Sequence, residues 1–78
     1  MRIRVKLFAS LRRYSVAADG THLEIDLPSG STLGDIINHL GVPPEEVRIT
    51  FVNGRARSED WKVEADDEIG IFPPIGGG

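Results

Sequence analysis

Residues 33–40 form the one clearly helical stretch of this 78-residue chain, and that scarcity decides the architecture. Leu33, Ile36, Ile37 and Leu40 recur at i, i+3, i+4 and i+7, so a single helix face is apolar. Thr32 stands at the N-cap, with Asp35 three residues on in a capping-box position. Gly41 supplies a left-handed C-cap, and Pro43-Pro44 prevents the helix from continuing. On either side the apolar residues change to a period of two. One helix with one apolar stripe requires one apolar sheet face to cover it, which predicts a two-layer α+β domain.

The strands follow from that alternation. Arg2–Phe8 puts Ile3, Val5 and Leu7 on one face and Arg2, Arg4, Lys6 and Phe8 on the other. His22–Leu27 buries Leu23, Ile25 and Leu27, leaving Glu24 and Asp26 to face Arg4 and Lys6 across an antiparallel pair. Ala9–Ala18 between them reads as a short helical turn or a loop, with Leu11 and Tyr14 inward. Val47–Val52 is a strand whose Ile49, Phe51 and Val52 cannot all point inward. Asn53-Gly54 signals a tight hairpin, and Arg55–Arg57 returns from it. Ser58–Glu64 is an irregular connection, with Trp61 expected over one end of the core. Glu68–Phe72 is the last strand, with Ile69 and Ile71 on one face and Phe72 on the other. The order is β-β-α-β-β-β.

Composition narrows the chemistry. The chain contains no cysteine, so disulfides, thiolate zinc sites and cysteine nucleophiles are excluded. This fits a reducing compartment, and a cytoplasmic location is expected. No apolar run approaches a membrane span or a secretory signal. The net charge of −3 is unevenly spread. Residues 1–18 hold five bases and no acid, whereas residues 19–78 hold four bases and all twelve acids. Few aromatics are interleaved with the basic residues, so a nucleic-acid partner is not expected. His22 and His39 have no paired ligand, Asp66-Asp67-Glu68 lacks the spacing of a calcium loop, and Gly30, Gly34 and Gly41 form no phosphate loop. No metal site is expected.

The tail carries the sharpest signal. Phe72 is followed by Pro73-Pro74-Ile75-Gly76-Gly77-Gly78. Two prolines fix φ and bias the preceding residues to extended backbone, which directs the tail stiffly away from the domain. Three glycines can then thread a narrow channel and present the Gly78 carboxyl group without side-chain cover. Adenylation by another protein would turn that carboxylate into an acyl donor to sulfur, a thiol or an amine. The bland alternative is a frayed, inert terminus.

The segments IRVKLFASLRR, STLGDIINHLG, VNG and above all DEIGIFPPIGGG resemble the MoaD-type sulfur carriers of the MoaD/ThiS group of ubiquitin-like proteins. The resemblance covers nearly the whole chain. It implies a β-grasp fold, a mixed sheet of four to five strands on one helix with the first and last strands parallel neighbours. The domain would span residues 1–75, with a flexible glycine tail at 76–78. It also implies a carrier that is not itself a catalyst, the small subunit of a molybdopterin synthase-like complex. A MoeB-like enzyme would adenylate Gly78 with ATP, with Gly77 as required neighbour. A sulfur donor protein would make the thiocarboxylate, and a MoaE-like large subunit would use the sulfur for the molybdenum or tungsten cofactor. No cofactor would be bound stably. Gly76 departs from the commonest tail pattern and leaves the pathway open. Relatives of this shape include tRNA-thiolation carriers and small protein modifiers attached through the same terminus.

Residue pattern also suggests where partners dock. If the first and last strands are adjacent, Phe8 and Phe72 share the face opposite the helix, rimmed by Arg2, Arg4 and Lys6. Pro73, Pro74, Ile75 and Gly76 continue from it towards the reactive end, forming with the two phenylalanines a partner-binding surface. The alternative is that Tyr14 or Trp61 covers the pair. A plain binding domain with an inert tail is the third functional reading.

Overall fold

The computed structural model describes residues 1–14 and 22–74. Strand β1 spans Arg2–Leu7, β2 His22–Asp26, β3 Ile49–Val52, β4 Arg55–Arg57 and β5 Glu68–Phe72; helix α1 spans Leu33–Leu40. Short 3-10 turns occupy Ala9–Tyr14 and Pro44–Glu46. The five strands form one sheet in the order β2-β1-β5-β3-β4. β1 and β5 run parallel at its centre, and the other pairs are antiparallel. This is the expected β-grasp arrangement.

Period two in the sequence becomes inside and outside in the structure. Ile3, Val5 and Leu7 of β1 and Ile69 and Ile71 of β5 are buried beneath Leu33, Ile36 and Ile37 of α1. Leu11, Leu23, Leu27, Val42, Val52 and Val63 close the rest of the core. Burying a side chain of this size stabilises the fold by about 1.5–3 kcal/mol, set against the entropy of ordering it.

The helix ends are resolved as the residue types dictate. Thr32 Oγ1 accepts from the Asp35 N–H at 3.2 Å, and an Asp35 carboxylate oxygen accepts from the Thr32 N–H at 2.9 Å. The preceding orphan donors, the Leu33 and Gly34 N–H groups, donate to the Trp61 and Glu59 carbonyls at 3.0 and 2.9 Å. Gly41 ends the helix at φ 75°. The irregular 58–64 connection thus satisfies the helix N-terminus through its own backbone.

Three expectations are corrected. Trp61 does not cover the core; it is 40% exposed with the Arg57 guanidinium 4.0 Å from its ring centre, while the smaller Val63 is buried in the core. Asp26 faces Arg2, Glu24 faces Arg4 and His22 faces Lys6, so β2 sits two residues along from the expected register. Reciprocal bonds pin that register: the Met1 ammonium donates to the Leu27 carbonyl at 2.8 Å, and the Leu27 N–H to the Met1 carbonyl at 2.9 Å. Val47 and Arg48 precede β3 instead of belonging to it. Of Ala9–Ala18, the described part is the 3-10 turn, with Leu11 buried and Tyr14 half-buried.

Candidate functional site: the outer face of the sheet

Cross-strand register places the outer-face residues in rows. The first holds Asp26 and Arg2, and the second Glu24, Arg4 and Glu68. The third runs His22, Lys6, Gly70, Phe51 and Ala56. The fourth holds Phe72 with Ile49, and Phe8 joins them just beyond β1 through its N–H bond to the Ile71 carbonyl at 3.1 Å. The face thus grades from paired charges to aromatic rings, and the aromatic end is the one from which Pro73 and Pro74 leave.

Phe8 and Phe72 stack with centroids 4.0 Å apart and planes 8° from parallel. Phe51 meets Phe72 edge-on at 5.4 Å and 77°. Such aromatic pairs contribute about 0.5–1.5 kcal/mol beyond buried area. All three rings are half-buried, and Ile49 beside them is 40% exposed. Neither Tyr14 nor Trp61 covers them. The Tyr14 hydroxyl donates to Glu46 at 2.9 Å, and Arg13 bridges to the same carboxylate. Hydrogen bonding from Arg13 to Tyr14 leads the upward shift of the Arg13 pKa, with Glu46 adding to it.

Gly70 makes the surface concave. A Cβ there would lie 3.3 Å from Phe8 Cε2, 3.7 Å from Phe72 Cε1 and 3.9 Å from Phe51 Cβ. Without one, a groove of about 220 Å³ opens over Gly70 between Phe8 and Phe51, with Arg4, Lys6 and Glu68 at its polar side.

Much of the N-terminal positive charge is absorbed locally. Arg2 bonds Asp26 at 3.2 and 3.3 Å and approaches Glu24 at 3.6 Å; Arg4 lies 3.5 Å from Glu68. The hydrogen bonds and charge of Arg2 hold the Asp26 carboxyl below its usual value. Asp67 serves the hairpin: Asn53 donates to its side chain at 3.0 Å while accepting from the Glu68 N–H at 2.9 Å. Among the described residues no three His, Cys, Asp or Glu cluster to hold a metal. No described helix is long and apolar enough to cross a membrane.

Of the residues expected at the site, the structure brings Phe8 and Phe72 together, with Pro73 half-buried and Pro74 exposed at the end of β5. Ile75, Gly76, Gly77 and Gly78 lie outside the described residues. Phe51, Ile49 and Gly70 also belong to the surface and were not among those expected. The face of Phe51 was hidden by Thr50, a polar residue buried on the helix side with its hydroxyl donating to the Arg57 carbonyl at 2.6 Å.

The ThiS family model matches residues 5–78. Among solved structures, SAMP1 from Haloferax volcanii is 25% identical, with a TM-score of 0.76 and all of both chains covered. The Pyrococcus furiosus chain named "Putative molybdopterin converting factor, subunit 1" is 30% identical with a TM-score of 0.73, covering 95% of this chain and 98% of that one. The complex of subunits 1 and 2 of molybdopterin-converting factor from Helicobacter pylori contains a chain 17% identical, with a TM-score of 0.65 and full coverage of both, a likeness of fold. No curated protein matches the chain significantly. A β-grasp sheet with an aromatic outer face, together with a family match over nearly the whole sequence, places the chain in the ThiS family, within the MoaD/ThiS group of ubiquitin-like proteins.

Proposed function

We propose that this chain is a cytoplasmic sulfur carrier for molybdopterin synthesis that reacts through Gly78 and is not itself a catalyst. The observation that carries the reading is continuity: the Phe8–Phe72 stack stands at the end of β5 from which Pro73-Pro74 lead towards Gly76-Gly77-Gly78. A partner that covers the rings is thereby positioned to receive the tail. The reading takes Gly78 as the carboxyl end of the chain.

The chemistry belongs to the partners. A MoeB-like enzyme joins the Gly78 carboxylate to the α-phosphorus of ATP, and pyrophosphate leaves. A sulfur donor protein, or sulfide, then attacks the acyl carbon; the C–O bond to AMP breaks and AMP departs with its electron pair. Sulfide gives the thiocarboxylate directly; a donor's persulfide gives an acyl disulfide, and a reducing thiol then breaks its S–S bond, releasing the thiocarboxylate and taking the donor sulfur into a disulfide. A MoaE-like subunit draws sulfur from it, and water restores the carboxylate. ATP is consumed by the activating partner, and no cofactor resides on this chain. The 30% identity to the Pyrococcus furiosus chain named for subunit 1 of molybdopterin converting factor supports this assignment.

The test is mass spectrometry of the C-terminal fragment after incubation with ATP, a MoeB-like enzyme and sulfide, followed by thiol-selective alkylation. With no cysteine in the chain, an alkylated mass on Gly78 reports the thiocarboxylate. Removal of Gly78 should abolish it without unfolding the domain. No alkylation, with an enzyme that thiolates its own carrier in parallel, would sink the reading.

The likeness to SAMP1, also named small archaeal modifier protein 1, favours a second reading, a protein modifier joined through Gly78 to lysines. Conjugates that survive a denaturing gel and vanish with Gly78 would establish it. Carriage of sulfur for tRNA uses the same activation and is separated by the acceptor.

A further inference from the structure

The outer face distributes its charges unevenly. Three cations of β1 stand on it. Arg2 holds Asp26 and Glu24, and Arg4 holds Glu68. Lys6 has no carboxylate within 4.0 Å among the described residues; its Nζ lies 5.1 Å from the centre of the Phe8 ring. Its cross-strand neighbours are His22 and Gly70, neither of them an acid. Contact with the ring holds the ammonium beside the groove, where a partner would meet it.

The groove limits what that partner can be. At about 220 Å³ it falls below the roughly 300–1,000 Å³ of small-molecule sites and suits one inserted side chain. Phe8, Phe51 and the bare Gly70 line it together with Arg4, Lys6, His22 and Glu68, so that side chain is apolar where it meets the rings. An apolar partner that also covered Lys6 would strand an ammonium without a counter-charge. A partner with a carboxylate at that point would meet an ammonium that no described acid engages.

We propose that Lys6 is the specificity-determining charge of this face: the protein partner seats an apolar side chain over Gly70, between Phe8 and Phe51, and sets an Asp or Glu carboxylate against Lys6 Nζ. The inference rests on the docking role proposed above and adds the residue that selects between partners. Charge of this kind acts through discrimination and association rate as well as affinity.

The test measures binding of the full chain to the MoaE-like subunit and to the MoeB-like enzyme of its own organism, at low and high salt. Lys6→Met should weaken binding to one of them about 10-fold more than to the other and flatten its salt dependence, Lys6→Glu should weaken that same binding about 100-fold, and equal losses for both would overturn the selection between partners. Lys6→Arg should stay within about 3-fold of wild type. Exchanging the partner's facing carboxylate for lysine should restore binding to Lys6→Glu. Lys6 is exposed, so thermal melts should show all three variants folded. If Phe8→Ala loses binding while Lys6→Glu binds as wild type, the charge inference fails and the docking role stands. If the wild type binds neither protein, both fail. If Lys6→Glu instead abolishes a concentration-dependent dimer, the face pairs with a second copy and the inference fails.

Discussion

The two faces of the sheet are cut from alternate residues of the same strands and end in opposite states. On the inner face Ile69 and Ile71 of β5 are 2% and 0% exposed beneath α1. On the outer face Gly70 and Phe72, their neighbours in sequence, are half-buried with no described α-helix over them. The inner face is closed by residues that fill volume. The outer face gains order from ring stacking, a missing Cβ and paired surface charges, none of which seals it. One face therefore holds the fold together, and the other is left open, as the proposed docking role requires.

Adjacent substitutions in β5 should separate these roles. Ile71→Ala removes a fully buried side chain from the centre of the sheet and should cost about 2–5 kcal/mol. Denaturant unfolding reads this directly, and a loss below about 1 kcal/mol would mean that the inner face repacks freely. Phe72→Ala breaks the stack with Phe8 and the edge contact with Phe51, which should cost about 1 kcal/mol from the ring contacts. The same variant should lose at least about 10-fold in partner affinity. If Phe72→Ala unfolds the domain as severely as Ile71→Ala, the outer rings are structural and the contrast collapses.

The inner face was largely legible in the sequence because local chemistry wrote it. Thr32, Asp35 and Gly41 mark the helix ends whatever the tertiary context, and β1 and β5 alternate without interruption. The outer face was legible only in part. Phe8 and Phe72 follow from the alternation once β1 and β5 are neighbours, a pairing that the family resemblance supplied. Phe51 was not legible, because Thr50 breaks the polarity rule that would orient β3. Gly70 shows its use only once three rings are placed around it. Trp61 misleads because size suggests burial; in the fold its ring packs against the Arg57 guanidinium, and Val63 is the residue of this connection that is buried. The two-residue offset of β2 keeps every side chain on its proper face, so the hydrophobic pattern cannot detect it. The Met1–Leu27 bonds decide it instead.

That offset produces the smallest and most specific effect. It puts Asp26 against Arg2, and the bidentate bonding and positive charge of Arg2 lower the Asp26 pKa from its usual 3.8. In the unfolded chain the carboxyl regains its ordinary affinity for protons. Below the unfolded value, and down through the folded one, the unfolded state binds more protons, so stability falls as pH falls. The contribution is complete above about pH 5 and fades as pH drops below about 4. Asp26→Asn should remove it. The stability difference between wild type and variant should be flat near neutrality, shrink in acid, and diminish at about 1 M salt because both side chains are exposed. Curves that stay parallel into acid would place Asp26 away from Arg2 and reopen the register of β2. The same measurement on Glu24→Gln separates the two acids. Arg2 bonds Asp26 but only approaches Glu24, so Asp26→Asn should show the larger acid-dependent change.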